Sequence, residues 1–374
     1  MNFSTNELQR MLQDSALDFA RAHGDYERRR KLIASPAGFS EDDWRLMAEL
    51  GWFAVLLPEA MGGIGGGPVE AMLITEALGQ SLATEPFLST GVLGARAISA
   101  HGTSTQQDNH LPGISEGKLR TAFAYYEQGA QQNRYWSQLS LRAMGSGWVL
   151  QGDKHMVFDG PSAGLFIVVA RSAGAAHERD GLTVLLVPAD APGLTQRDFT
   201  RLDGGRACHL SFDQVAIAQE SVLGEPGRGA EVIDDLFGWG IAALCGEAMG
   251  AMQVLHDATL DYLKTRQQFG RPIGSFQALA HRQVDMYAAL EQTRSIALAV
   301  NMAMADDLPE ASRLQSMAKV QLGRAASIIG QGAIQLHGGI GMTEELNVGA
   351  YFKRLTVMNA QFGTAEHHLA RLAE

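Results

Sequence analysis

The hydrophobic pattern changes its period twice along this chain of 374 residues, which is too long for one ordinary compact core. Residues 1–118 carry apolar side chains at helical spacing, for example over 44–50. From 119 to 222 the period becomes two, and from 223 to 374 the helical period returns. This order predicts an α+β multidomain fold, with an N-terminal helical domain, a middle antiparallel β domain and a C-terminal four-helix-type bundle.

Within the β region, six stretches alternate apolar and polar residues between Gly, Pro or Asp turns. These predicted strands are 119–126, 137–143, 148–158, 165–171, 182–188 and 209–215. Three helical stretches long enough for an antiparallel bundle follow at 230–264, 276–305 and 309–336. Pro309 suits the first turn of the third helix, and Gly338-Gly339 suits its end.

Charge and composition exclude several classes of partner. A net charge of −11 argues against binding to DNA, RNA or anionic membranes, which requires basic surfaces. Cys208 and Cys245 fit neither a disulfide framework nor a metal-ligand spacing, which indicates a reducing cytoplasm. The start of the chain is polar and does not resemble a signal peptide. The run 235–257 is long enough to span a bilayer, but its four glycines and Glu247 favour a buried core helix.

Four motifs, in this order, resemble the acyl-CoA dehydrogenase flavoprotein family over essentially the whole chain. They are similar to the family's P-E-x-x-G-G-x-G, R-x-x-F-G-x-P-I-x-x-F-Q, Q-x-x-G-G-x-G and G-T-x-E patterns. In this chain they read Leu57-Pro-Glu-Ala-Met-Gly-Gly-Ile-Gly-Gly66, Arg266-Gln-Gln-Phe-Gly-Arg-Pro-Ile-Gly-Ser-Phe-Gln277, Gln335-Leu-His-Gly-Gly-Ile-Gly341 and Gly363-Thr-Ala-Glu366. Taken alone, the first is read as a glycine-rich connecting loop rather than a phosphate cradle, because no Lys-Ser/Thr follows it.

The resemblance implies an FAD cofactor. Arg266 offers a permanently charged planar fork that suits pyrophosphate oxygens, and Phe269 offers a flat face to adenine or ribityl. In the family this cluster grips the FAD of the neighbouring subunit, so an oligomer, a dimer of dimers of identical or homologous chains, is implied. The residues that the resemblance assigns to FAD are Arg266, Gln268, Phe269, Phe276, Gln277, Gln335, Leu336, Gly338, Gly339, Thr364, Glu366, Met156 and Phe158.

The resemblance also implies a reaction on an acyl-CoA substrate, with an electron-transfer flavoprotein-type acceptor as partner. The thioester loses its α-proton to a carboxylate base and its β-hydrogen to the flavin as hydride. Most members carry that base as the Glu before the terminal Gly-Thr, where this chain has Phe362. Others carry it, next to an arginine, at the positions of Gly240 and Ile241. Both usual base positions, and the arginine, are therefore lost.

The contacts to the flavin ring depart from the family pattern too. The turn E-P-x-A-G-S-D, whose serine caps the flavin, aligns with Glu-Gln-Gly-Ala-Gln-Gln-Asn at 127–133. The strand K-x-W-I-T-N-G aligns with 154–160, and Met156 replaces the tryptophan while Phe158 replaces the threonine. Methionine keeps a polarisable apolar contact, but phenylalanine removes a hydrogen bond and adds bulk. The ring site is predicted to be degenerate and the pyrophosphate grip intact.

Two functional hypotheses follow. In the first, the chain resembles the small subunit of bacterial heteromeric acyl-CoA dehydrogenases of steroid and dicarboxylate degradation, and it completes a flavin site shared with a larger homologous subunit. In the second, it is a self-sufficient homo-oligomeric dehydrogenase with an unorthodox base. The sequence separates neither an oxidase from a dehydrogenase nor one acyl group of lipid catabolism from another.

Glu247 is the candidate for that base. It lies two helical turns after Gly240, on roughly the same helix face. An unpaired carboxylate among its apolar neighbours would cost several kcal/mol, so Glu247 is either functional or paired with an arginine such as Arg282 or Arg324. The structural pairing is the favoured reading. His337 and His367-His368 form no metal-like group, and no metal is predicted.

Overall fold

The computed structural model describes residues 5–373, in which the elements follow the predicted order. The α-helices are α1 (Glu7–His23), α2 (Tyr26–Ala34), α3 (Glu41–Glu49), α4 (Pro68–Ser81), α5 (Ala95–His101), α6 (Ser104–Ser115), α7 (Gly229–Thr265), α8 (Gln277–Ala305), α9 (Ala311–His337), α10 (Val348–Ala360) and α11 (Ala365–Ala373). The strands are β1 (Thr121–Ala124), β2 (Ser140–Met144), β3 (Gly147–Phe158), β4 (Leu165–Arg171), β5 (Leu182–Pro188), β6 (Leu194–Thr200), β7 (Arg206–Ile217), β8 (Val222–Leu223), β9 (Gln267–Gln268) and β10 (Arg271–Pro272).

The chain forms two compact units, each built from segments that are distant in sequence. The helical unit comprises the chain up to Lys31, Pro68–Ala83 and the chain from Ile241 onward. The sheet unit comprises Leu32–Gly67 and Thr84–Gly240. The linear domain limits of 118 and 222 stay a prediction, whereas the order of N-terminal helices, middle β domain and C-terminal helices is confirmed.

The sheet unit is organised around one twisted sheet with the strand order β6-β7-β3-β2-β4-β5-β8. Most pairs are antiparallel, as predicted, but β1 and β2 each pair in parallel with β4. The inward-facing side chains of these strands form a buried apolar core that includes Leu150, Phe166, Leu210 and Phe212. The predicted strands 165–171 and 182–188 are confirmed as β4 and β5.

Strand β6 was not predicted from the sequence, and neither were the two-residue strands β8, β9 and β10. The seven residues of β6, Leu-Thr-Gln-Arg-Asp-Phe-Thr, are almost all exposed, because this strand lies at the edge of the sheet. An edge strand of this kind lacks the apolar alternation that identifies a half-buried strand. Its pairing with β7 therefore depends on backbone hydrogen bonds more than on a hydrophobic face.

The helical unit packs α4 against α7 at very short range. A Cβ added to Gly79 would lie 1.9 Å from the carbonyl oxygen of Glu247, and one added to Gly250 would lie 1.9 Å from that of Glu76. Glycines in the long apolar run thus allow two helix backbones to touch. Among the described helices, none is long and apolar enough to cross a membrane.

The C-terminal helices begin and end within two residues of their predicted limits. One detail was wrong: α9 begins at Ala311, so Pro309 lies in the turn before the helix and not in its first helical turn. The tight connection after α8 uses Asp307 at a φ of 48°. Such turn geometry is not visible in a helical periodicity.

Candidate functional site

A β-hairpin follows α7 and carries the first group of predicted cofactor residues. Strands β9 and β10 pair antiparallel, and their turn consists of Phe269 and Gly270. These two residues have φ values of 53° and 76°, the pattern of a type I′ hairpin turn. Glycine adopts this conformation without strain, whereas phenylalanine rarely does. The fold thus accepts strain at Phe269 while leaving its side chain in solvent.

Phe269 is 90% exposed. Burying a phenylalanine side chain stabilises a protein by roughly 1.5–3 kcal/mol, and the exposed Phe269 ring lacks this contribution. A ligand or partner that covers the ring would restore it. Phe276 lies 6.0 Å from it, edge to face, and the guanidinium of Arg271 stands 4.2 Å above the Phe276 ring. Three further predicted cofactor residues of this segment are exposed: Arg266, Gln268 and Gln277. The hairpin can therefore present cations, amides and an aromatic face to a planar anionic ligand.

The end of α9 carries the second group. Gly338 has a φ of 66°, and a Cβ at Gly338 or Gly339 would meet no heavy atom within 4 Å. Packing within the chain therefore does not require glycine at 339, and open space remains for a ligand to approach the backbone. Gln335 is exposed beside it. Leu336 is buried, so a cofactor contact there would fall to its backbone. His337 hydrogen-bonds within its own helix.

The third group precedes α11. Phe362, at the family's commonest base position, is buried with a φ of 57°. The Nε2 of His368 donates to the carbonyl oxygen of Phe362 at 2.8 Å. Burial lowers the pKa of His368 to about 3, so its Nδ1 is an acceptor for the hydroxyl of Ser316, 3.2 Å away. A neutral imidazole therefore fixes the strained backbone at residue 362.

Thr364 directly precedes α11, and Glu366 lies in the first turn of this helix. The Thr364 hydroxyl accepts from the backbone N–H of His367 at 3.4 Å. Hydrogen bonds from its own backbone N–H and from Thr364 lower the pKa of Glu366. Glu366 is exposed, so its carboxylate is free to accept hydrogen bonds from a bound ligand as well.

Lys319, for which the sequence predicted no role, is completely buried. Its Nζ donates to the carbonyl oxygens of Met358 and Asn359, at 2.8 and 3.3 Å, and so caps the end of α10. Burial lowers the pKa of Lys319 to about 7. The available signal was its position on the apolar face of α9, where a lysine must find internal acceptors.

The sheet unit contains the two positions predicted beside the flavin ring. Met156 lies at a bulge of β3 with a φ of 51° and is 40% exposed. The Phe158 ring is covered by the guanidinium of Arg201 at 4.4 Å. Arg201 is in turn bound to Asp159 at 3.3 Å and to Asp203 at 3.1 Å, and its side chain is only 9% exposed. One face of Phe158 is thus occupied by the chain's own cation.

Glu247 makes a two-pronged ion pair in the interior of the helical unit. Arg354 of α10 donates through Nε to Oε1 and through Nη2 to Oε2, both at 2.8 Å. The sequence-based suggestions for this partner, Arg282 and Arg324, were wrong, and both are exposed. Helical periodicity gives each helix an apolar face but does not say which helices meet, so the identity of the partner could not be read from the sequence.

The predicted cofactor residues thus fall into two sets. The hairpin, the glycine pair and the Gly-Thr-Ala-Glu segment belong to the helical unit, and Met156 and Phe158 belong to the sheet unit. Within residues 5–373, no three His, Cys, Asp or Glu side chains gather as a metal site.

Three family descriptions match successive parts of the chain. They are "Acyl-CoA dehydrogenase, N-terminal domain" over residues 6–118, "Acyl-CoA dehydrogenase, middle domain" over 122–215 and "Acyl-CoA dehydrogenase, C-terminal domain" over 227–374. The "Probable acyl-CoA dehydrogenase YngJ" of Bacillus subtilis is 26% identical, over 98% of this chain and 97% of the relative.

Solved structures agree over the whole length. The ChsE4-ChsE5 complex from Mycobacterium tuberculosis superposes with a TM-score of 0.91 at 25% identity, over 100% of this chain and 98% of that chain. The FAD complex of PigA superposes with a TM-score of 0.92 at 26% identity, again over 100% of this chain and 98% of that chain. One of these structures is a complex of two proteins and the other holds FAD.

Proposed function

Because this chain belongs to the acyl-CoA dehydrogenase family, we propose that it serves FAD-dependent α,β-dehydrogenation of an acyl-CoA thioester as a small subunit. In this role it completes a flavin site shared with a larger homologous chain. The family consists of oxidoreductases that act on CH–CH bonds with FAD as cofactor. The proposal adds that the enzyme is a heteromer and that its two kinds of subunit have different roles in cofactor binding and proton abstraction.

A single observation carries the proposal: the Phe158 ring is stacked under Arg201, which two carboxylates hold in place. At this position the family uses a hydroxyl that donates to the flavin. Phenylalanine has no donor, and displacing Arg201 would leave a cation and its carboxylates to be satisfied elsewhere. The residues at this position therefore do not fit the ring of a flavin.

The residues of the helical unit fit the rest of the cofactor well. Arg266 can pair with pyrophosphate oxygens, the exposed face of Phe269 can cover an adenine or ribityl group, and Gln335 can donate to either. FAD supplies the hydride acceptor when it is bound. The contribution of this chain to catalysis is to grip that cofactor in a site whose ring side belongs to the partner.

The proposal assigns proton abstraction to the larger subunit. Phe362 cannot accept a proton, and Gly240 has no side chain. Glu247 has both oxygens held by one guanidinium, which removes its freedom to approach a substrate. The ion pair therefore supports a structural role and weakens the alternative, a self-sufficient homo-oligomeric dehydrogenase with Glu247 as base.

We extend the proposal to the assembly and its electron acceptor. The complex is a dimer of dimers in the cytoplasm, and it passes electrons to an electron-transfer flavoprotein-type acceptor.

Purification tests the proposal. The chain is produced alone and together with the product of the neighbouring reading frame, and flavin absorbance and light-scattering mass are recorded for each. We expect little FAD on the chain alone and one FAD for each pair of chains in the complex. A chain that alone carries one FAD per subunit and oxidises an acyl-CoA would refute the small-subunit role and favour the self-sufficient enzyme.

A further inference from the structure

The edge of the sheet next to β8 contains a cleft of about 610 Å³, and none of its lining residues is a proposed cofactor contact. Pockets that bury a ligand typically measure about 300–1,000 Å³, so the cleft is large enough to hold one. Its walls are α6, the start of β4, the end of β5 and the chain on either side of β8. All of these segments belong to the sheet unit, so the cleft is a feature of one compact unit.

The cleft exists because β8 is much shorter than β5. Strand β5 pairs with β4 along all seven of its residues, whereas β8 pairs with it only at Val184 and Leu185. Before β8, Gln219–Ser221 form a 3-10 turn instead of continuing the strand. Within residues 5–373, no other strand pairs with β5 on this side. Residues 186–188 therefore form a free strand edge inside the cleft.

The buried Gln106 of α6 keeps this edge free. Its side-chain amide donates to the carbonyl oxygens of Glu220 and Val222, at 2.8 and 2.9 Å. Its side-chain oxygen accepts from the backbone N–H of Thr103 at 2.9 Å. Both N–H groups of the amide are thus used to hold the chain before β8 towards α6. A folded polar contact therefore maintains the gap beside the end of β5.

The backbone of Leu186 faces this gap. In an antiparallel ladder, successive residues of a strand direct their N–H and C=O groups to opposite neighbours. The N–H of Ala189 donates towards β4, to the carbonyl oxygen of Gly164 at 3.1 Å. Leu186 is three residues away, so its N–H and C=O point away from β4 and into the cleft. Because Leu186 is only 3% exposed, these groups require a hydrogen-bond partner that occupies the cleft.

The side chains of the lining fit a segment that carries both apolar and cationic residues. Leu165 and Val222 are buried and give the cleft an apolar floor. Burial lowers the pKa of His110 and leaves its imidazole neutral, so the exposed Glu220 is the one charged group among the described lining residues. The His110 ring and the Asn109 amide add hydrogen-bond donors and acceptors at the rim. The cleft is therefore complementary to a positively charged ligand with an apolar part.

We propose that this cleft binds a short, extended, cationic segment of another polypeptide, which pairs with the backbone of Leu186 as an additional strand. In binding of this kind, main-chain hydrogen bonds to a free strand edge provide affinity, and contacts to alternate side chains provide specificity. Pro188 has no N–H to donate, so the pairing covers only a few residues and does not extend the sheet indefinitely. Glu220 selects a cationic side chain, and the apolar floor selects its neighbour.

Fluorescence anisotropy with the full-length chain tests the site. The probe is fluorescein-labelled Lys-Val-Lys-Val-Lys, and the two control peptides carry Glu in place of Lys or N-methylated backbone amides. We expect saturable binding of the probe, and binding of both controls that is weaker by about tenfold or more. The N-methylated peptide keeps the charge of the probe but cannot donate from its backbone. Non-specific attraction to the acidic chain would therefore bind it as well as the probe.

Three variants locate the bound peptide. Asn109→Trp fills the cleft from the exposed side of α6, and Glu220→Lys reverses its charge. Each should weaken binding of the probe by about tenfold or more. Asp213→Lys makes the same charge change at an exposed carboxylate outside the lining, so it should leave the affinity unaltered. If Asn109→Trp does not fold, the comparison of Glu220→Lys with Asp213→Lys still decides the location.

Hydrogen exchange, read at single residues by nuclear magnetic resonance, tests the pairing itself. Without peptide, the amide of Leu186 should exchange faster than those of Leu185 and Val187, which face β4, and the probe should slow it. The proposal is overturned if the probe shows no saturable binding or if its N-methylated form binds equally well. It is also overturned if the folded cleft variants bind the probe as the unaltered chain does, or if the probe leaves exchange at Leu186 unchanged.

Discussion

Arg266 is a predicted flavin contact and Arg201 covers another, Phe158, and the surroundings of the two arginines are opposite. Arg266 is exposed beside the 90% exposed Phe269, with its guanidinium available to a ligand. Arg201 is 9% exposed, stacked on Phe158 and bound to two carboxylates. Arg266 and Phe269 thus remain accessible to a ligand, whereas the charge of Arg201 and one face of Phe158 are satisfied within the chain. The small-subunit proposal requires this difference, because it assigns a grip on the cofactor to Arg266 and no flavin ring to the position of Phe158.

Breaking the Glu247–Arg354 pair should give the largest effect. Glu247→Ala leaves Arg354, whose side chain is only 12% exposed, without this carboxylate. We expect a loss of about 3–5 kcal/mol in the free energy of unfolding. Urea denaturation measures this loss. Adding Arg354→Ala should recover part of it, because the unpaired charge is then removed as well. If Glu247 were the catalytic base, Glu247→Gln would instead cut turnover of the assembly by about 10²–10⁴ with little loss of stability.

Arg266→Ala tests whether the exposed Arg266 contributes to FAD binding. A charge-assisted contact to phosphate contributes about 1.5–3 kcal/mol, so FAD affinity of the full oligomer should fall roughly tenfold or more while the melting temperature of the apoprotein stays unchanged. Fluorescence titration of the apo-oligomer with FAD gives the affinity. Arg313→Ala, another exposed arginine, is the control and should leave it unaltered. Equal FAD affinities of the two variants would show that Arg266 does not bind FAD and acts only as a cation at the C-terminus of α7.

The sequence predicted the parts of the molecule that depend on local pattern. The bundle helices and strands such as β4 and β5 have clear periods, whereas the hairpin of β9 and β10 was not predicted and only its candidate cofactor residues were identified, from a motif. Arg354 beside Glu247 and Arg201 over Phe158 were not predictable, because each contact joins elements far apart in sequence and no periodicity encodes which faces meet. A degenerate ring site was predicted from two substitutions and stays a prediction, whereas the cation that covers Phe158 was not foreseen.

Phe362→Glu should have the smallest effect. It tests most directly whether the chain has lost its own flavin-ring site. The substitution returns a carboxylate to the family's commonest base position. The backbone there is already held in its positive-φ conformation by His368, so the new side chain needs no rearrangement of the main chain. Burial would raise the pKa of such a carboxyl group and make it a competent base at neutral pH.

A base alone is not sufficient, however, because the reaction also needs a flavin ring next to the substrate. With Arg201 covering Phe158, we expect no bleaching of flavin absorbance when butyryl-CoA is added anaerobically to the Phe362→Glu chain alone, and the same result with the neutral control Phe362→Gln. Loss of flavin absorbance in Phe362→Glu but not in Phe362→Gln would mean that this chain binds an active flavin ring itself. That result would contradict the small-subunit proposal. If Phe362→Glu responds only after Phe158→Thr and Met156→Trp are added, the two ring positions are what separates this chain from a self-sufficient enzyme.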